Sequence, residues 1–181
     1  MTSAMLFDGF PAVPSPSLLP DPAIVLGGTE LLTEFLKISA ASRTGGRLSI
    51  VVPFVGRGIA TAILPWGLMK HAAIDFLIVT ASPQAASIAL SEFGELRWRS
   101  LVVRVGSRIH SKVYCFLAAS GASACLVGSG NLTKAGVTTN REANVLFSTT
   151  RDPGVGMAIK SCSDYIEALS RDAKPFPSEN V

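Results

Sequence analysis

IHSKVYCFLAASGASACLVGSGN, residues 109–131, holds one of only two histidines in the chain, two residues from a lysine and upstream of a Gly-Ser-Gly-Asn corner. IHSKVYCFLA (109–118) and SACLVGSG (123–130) have the length and apolar character of strands, and Ser120-Gly121 supplies the turn of a hairpin between them. Residues i and i+2 of a strand face the same way, so His110 and Lys112 project together. Ser129 and Asn131 do the same if the second strand runs that far. The hairpin returns the end of the second strand to the start of the first. An imidazole, an ammonium, a hydroxyl and an amide therefore converge at one edge.

That set of groups suits a phosphodiester. Lys112, Ser129 and Asn131 can donate to non-bridging oxygens, and a neutral imidazole can attack phosphorus to form a covalent phospho-enzyme. A histidine nucleophile needs one ring nitrogen free, with the other held by an acceptor that supports the developing charge. Glu142 is the candidate acceptor, being the only acidic residue between Glu95 and Asp152. The alternative is an exposed strand carboxylate paired with Arg141 or another surface base.

The flanking sequence alternates strands and helices. Residues 1–22 carry five prolines and read as an extended arm. TELLTEFLKISAAS has helical spacing with Thr29 as N-cap, and Gly45-Gly46 ends it. RLSIVVPF (47–54) and AIDFLIVT (73–80) read as buried strands separated by a helix from Gly56 to about His71, broken at Pro65. Ser82-Pro83 starts a helix that stops at Gly94. LRWRSLVVRV (96–105) and REANVLFST (141–149) are further strands, and VGMAIKSCSDYIEALSRD (155–172) closes the chain as an amphipathic helix. The pattern predicts an α/β fold, a mixed β-sheet sandwiched between helices. It assigns residues 23–175 to one domain and 176–181 to a polar tail.

Composition narrows the setting. Of 181 residues, 48% are hydrophobic and 16% charged, which describes a core-rich globular chain rather than a disordered one. No apolar run approaches the roughly 20 residues of a membrane span, and the N-terminus lacks the basic start and apolar block of a signal peptide. The expectation is a soluble, cytoplasmic protein. Cys115, Cys125 and Cys162 form no CxxC pair, and Cys115 and Cys125 fall in apolar strands as small hydrophobes; no metal or cofactor is expected.

The net charge of +3 is polarised. Arg97, Arg99, Arg104, Arg108, Lys112, Lys134 and Arg141 stand in a stretch without Asp or Glu between Arg97 and Arg141. A positive field there favours phosphate or nucleic acid. Trp98, between Arg97 and Arg99, can stack on a nucleotide or pack on the sheet, and Tyr114 can line the site mouth or the core. Arg97, Trp98, Arg99, Arg108, Tyr114, Lys134 and Arg141 are thus secondary candidates for binding phosphate or nucleic acid.

His110-x-Lys112, then Gly128-Ser129-x-Asn131, then Asn140-x-Glu142 resembles the phospholipase D superfamily motif, H-x-K-x4-D-x6-G-S-x-N with a downstream N-x-E. VVPF (51–54), a helix and LIVT (77–80) resemble the family's approach to it, so that the likeness runs over about 45–170. Two departures stand out. Leu117 occupies the place of the motif Asp, which in the family is considered chiefly structural, and SGASA lengthens the hairpin turn. The family mechanism implies two histidines, whereas His71 has no lysine two residues on and reads as a helix-end residue. The resemblance therefore implies a two-fold homodimer whose two copies of His110 and Lys112 share one site without a metal. It implies a nuclease-like phosphodiesterase working through a phosphohistidine. The alternatives are a catalytically silent nucleic-acid-binding or dimerisation module, supported by Leu117, and a phospholipid hydrolase or phosphatidyltransferase. The last is disfavoured because no lipid-facing helix is visible.

Overall fold

The computed structural model describes residues 23–26, 45–63 and 73–177. Eight strands form one mixed sheet: β1 (Ala23–Leu26), β2 (Gly46–Val51), β3 (Ile74–Thr80), β4 (Ser100–Val105), β5 (Val113–Ala118), β6 (Ser123–Gly128), β7 (Ala143–Ser148) and β8 (Lys174–Pro175). Their order is β1-β7-β6-β5-β2-β3-β4-β8. β2, β3 and β4 run parallel, and every other pairing is antiparallel. Parallel neighbours need a crossover, and the segments bearing α1 (Ile59–Ile63) and α2 (Pro83–Phe93) provide one each. β5, β6 and β7 follow as a meander, interrupted by the short α3 (Lys134–Thr138), and α4 (Gly156–Asp172) returns across the sheet.

Strand alternation divides the core in two. Leu48, Ile50, Phe76, Ile78, Val103, Phe116 and Leu126 face α1, α2 and α3, together with Ala85, Ala86, Ala89 and Phe93 of α2. Val51, Leu77, Val79, Val113, Cys115 and Cys125 face α4, which contributes Ile159 and Ile166. Helices thus cover both faces of a mixed sheet, the architecture expected from the sequence. The start of α2 is as anticipated: Ser82 Oγ accepts from Ala85 N at 3.2 Å and Pro83 takes the first helical position, where its missing donor costs nothing.

Several boundaries move. The strand expected over 96–105 starts at Ser100, because Trp98 turns inward: its ring lies 4.7 Å from Phe76 and its Nε1 donates to Phe93 O at 2.9 Å. The strand expected over 109–118 starts at Val113, so His110 and Lys112 sit in the preceding loop. β6 ends at Gly128 and β7 starts at Ala143, which leaves Ser129 and Glu142 just outside the ladder. Phe176, assigned to the tail, packs with the domain. β8 pairs with β4, Phe176 N donates to Val103 O at 2.9 Å, and the Phe176 ring rests on the first core. β1, α3 and β8 were not anticipated. The arm over 1–22, the helix from 28 to 42, the Pro65 break and His71 lie outside the described residues.

Candidate functional site

The carboxyl ends of β2, β3, β4 and β6 meet the amino ends of β5 and β7 at one edge of the sheet, since Val51 pairs with Val113, Val113 with Val127, and Gly128 with Asn144. The histidine loop arrives there from β4. Gly106 N donates to Thr80 O at 2.9 Å, Ile109 is buried in the second core, and Arg108 between them takes a left-handed φ of 57°. That conformation, unfavourable for a side chain with a Cβ, turns the chain so that Ile109 goes in while His110 stays exposed. Lys112 Nζ donates to His110 O at 3.0 Å, which leaves two of its three N–H groups for other acceptors. Tyr165 of α4 donates from its hydroxyl to Ser111 Oγ at 2.8 Å and ties the loop to the helix.

The Gly-Ser-Gly-Asn corner is fixed to that loop and to β5. Gly128 N donates to Lys112 O at 3.1 Å, and the Tyr114 hydroxyl donates to Gly130 O at 3.0 Å. Burial, with the nearby charge of Glu142 adding to it, pushes the Tyr114 phenol far up, so it remains a donor. Ser129 N donates to Ala143 O, while Ser129 Oγ accepts from Ala143 N at 3.1 Å and donates to Glu142 Oε2. Asn140 Nδ2 donates to the other carboxylate oxygen of Glu142 at 3.1 Å. Thr133 then caps α3, its Oγ1 accepting from Gly136 N at 3.0 Å.

The structure thus places His110, Lys112, Ser129, Asn131 and Glu142 on adjoining segments of one edge. It gives Glu142 partners other than the expected one. Among the described residues its oxygens accept from Ser129 and Asn140, and no hydrogen bond joins it to His110 or ion pair joins it to Arg141.

The secondary candidates separate. Arg108, Lys134 and Arg141 are exposed around the site loops and make no ion pair with a described residue. Arg97, Trp98 and Arg99 precede β4 at the opposite end of the sheet. There Arg99 and Ser100 both donate to Asp75, and Trp98 is part of the core. Tyr114 is buried beneath the corner and supports it from below. A groove of about 300 Å³ runs from the same far end along β4, lined by Arg47, Asp75, Ser100 and Arg104; Arg47 is paired with Glu167, Asp75 with Arg99 and Ser100, and Arg104 with the Ser170 carbonyl. Leu117, in place of the motif Asp, packs against the second core.

Three site features escaped the sequence. Asn144 is 2% exposed, pairs with Gly128, and has no hydrogen-bond partner for either amide atom among the described residues; a Cβ on Gly128 would lie 1.9 Å from its Oδ1. Asn144 therefore requires glycine at 128, and only the strand register could have revealed it. The second is Tyr165, more than 50 residues from its partner Ser111. The third is the loop after β2, where Phe54 is exposed and Val55 pairs with Leu132.

Residues 88–170 match the family model of the NgoFVII restriction endonuclease N-terminal PLD domain. No curated protein sequence matches the chain. Among solved structures it is similar to a phospholipase D family member, Nuc from Salmonella typhimurium, at 19% identity over 87% of this chain and 100% of that one, with a TM-score of 0.54. It is similar to NucT from Helicobacter pylori at 13% identity, 86% and 99% coverage and a TM-score of 0.57. Polyphosphate kinase from Porphyromonas gingivalis shares the fold over 93% of this chain and 27% of its own length, at 11% identity and a TM-score of 0.54.

The mixed sheet between helices is the fold of the phospholipase D family member Nuc and of NucT, and within it residues 88–170 match the model of a PLD domain.

Proposed function

We propose that the protein is a nuclease-like phosphodiesterase that needs no metal ion and acts on nucleic acid. The observation that carries this reading is the joining of the His110–Lys112 loop to the Gly128–Asn131 corner by the Gly128 N to Lys112 O bond. In this reading that bond brings a nucleophile beside donors for a phosphate. The matched family model, that of a restriction endonuclease domain, supports a nucleic-acid substrate.

In this reading His110 attacks phosphorus through one ring nitrogen. A P–N bond forms as the bond to the leaving oxygen breaks, and Lys112 and Asn131 donate to the non-bridging oxygens. His110 of the partner subunit protonates the leaving oxygen. It then takes a proton from the water that attacks phosphorus and breaks the P–N bond. Each chain brings one such motif, so the reaction requires a two-fold homodimer. Glu142 acts through Ser129 and Asn140, holding the corner in shape.

The test is hydrolysis of bis(p-nitrophenyl) phosphate and plasmid DNA in excess EDTA. The wild type should cleave both, and His110→Ala should lose that activity. Leu117 favours one other reading, a silent nucleic-acid-binding module. It predicts DNA binding with no turnover by either protein.

A further inference from the structure

Phe54 is 62% exposed, although Pro53 and Val55 on either side are buried. An exposed phenylalanine forgoes the stabilisation that burying its ring would contribute. Its surroundings hold it there. Pro53 O accepts from Thr80 Oγ1 at 3.2 Å, Gly56 N donates to Leu132 O at 2.9 Å, and the Glu92 carboxylate accepts from Gly58 N at 2.8 Å and Ala60 N at 3.1 Å. The ring is therefore carried on a braced segment that cannot easily fold it inward.

Its position is also set. Val55 and Leu132 form a parallel bridge, so the residues before them, Phe54 and Asn131, run side by side. The residues after them keep the same register: a Cβ on Gly56 would touch Thr133 at 3.0 Å. A rigid exposed ring thus neighbours the amide of the Gly-Ser-Gly-Asn corner. The same register brings the exposed cations Arg57 and Lys134 next, on one side of the ring, and neither makes an ion pair with a described residue.

We infer that Phe54 is the stacking platform for a nucleobase next to the phosphodiester held at Asn131, with Arg57 and Lys134 following the backbone to one side. This rests on the nucleic-acid reading above. An aromatic face beside cations suits an unstacked base, and its π-face carries no sequence code. A base inside a duplex already has both faces covered. The subsite therefore selects single strands or frayed ends over intact duplex.

The experiment measures binding by full-length His110→Ala protein, in EDTA, to a labelled oligothymidylate of about 12 nucleotides and to an equally long abasic deoxyribose-phosphate strand. Stacking on one base should favour the oligothymidylate by about tenfold or more. Adding Phe54→Ala should erase that difference, and Phe54→Trp should keep it. Equal weakening of both probes by Phe54→Ala would overturn the subsite alone. So would a shift to monomer in sedimentation, which would assign Phe54 to a contact between copies. Binding to neither probe by either protein would overturn the nucleic-acid reading and the subsite with it.

Discussion

The two ends of the sheet use similar side chains in opposite ways. At the end where β3 and β4 begin, most charges are matched: Arg99 and Ser100 hold Asp75 and Arg47 holds Glu167 at 2.9 Å, with Arg97 left exposed; further along β4, Arg104 donates to the Ser170 and Ala173 carbonyls at the end of α4. At the site end Arg57, Arg108, Lys134 and Arg141 stand exposed without a carboxylate among the described residues, and the single carboxylate of the motif is turned to Ser129 and Asn140. The first end spends its cations on holding the sheet to its helix. The second leaves them available. A basic stretch in sequence therefore becomes two populations in space, and the site end holds most of the cations left without a carboxylate among the described residues.

The sharpest test of that contrast is His110→Ala. The side chain is exposed, so urea unfolding should give the wild-type midpoint, while EDTA-resistant cleavage falls by on the order of 10⁴-fold or more. Tyr114→Phe comes next. It removes the donor to Gly130 O and leaves a buried carbonyl unmatched, at a cost of about 1–3 kcal/mol in urea unfolding, with a loss of cleavage as the corner loosens. The combined change Lys134→Ala and Arg141→Ala should weaken DNA binding and flatten its salt dependence, by about one unit of slope for each phosphate left without its cation. Arg97→Ala with Arg99→Ala should leave that slope alone. An equal effect of both pairs would abolish the distinction between the two ends.

The smallest effect concerns acid. Hydrogen bonding from Arg99 holds the Asp75 carboxyl down at about 2, from an ordinary value of 3.8. A lowered folded-state pKa stabilises the protein above the unfolded value and ceases to do so as the carboxyl protonates. Stability should therefore decline slightly as pH falls from about 4 through about 2. Unfolding midpoints of Asp75→Asn followed over that range should lack this component.

The sequence was most legible where periodicity and local chemistry coincide. The apolar β-branched runs of β2 and β3 and the Ser82-Pro83 helix start gave elements within a few residues of those observed. The candidate motif stands out because most of its members lie close together in sequence around one hairpin. What escaped depends on register between distant segments. Glu142 was assigned to His110 by its chemistry, yet the neighbouring Asn140 and Ser129 take both its oxygens. Trp98 looked like part of a basic, aromatic surface, but Phe76 and Phe93, on separate elements, draw it into the core. The bridge that aligns Phe54 with Asn131 joins residues far apart along the chain, and nothing local announces it.

The tip of the β5–β6 hairpin has a practical use. Gly121 takes a φ of 91°, a Cβ there would meet no atom within 4 Å, and Ala119, Ser120 and Gly121 are exposed. Six strand residues separate this turn from the histidine loop, about 20 Å of rigid ladder. A short peptide tag or a fluorophore could be spliced in at Ser120–Gly121, giving the domain a handle for immobilisation or distance measurement on the side facing away from the chemistry.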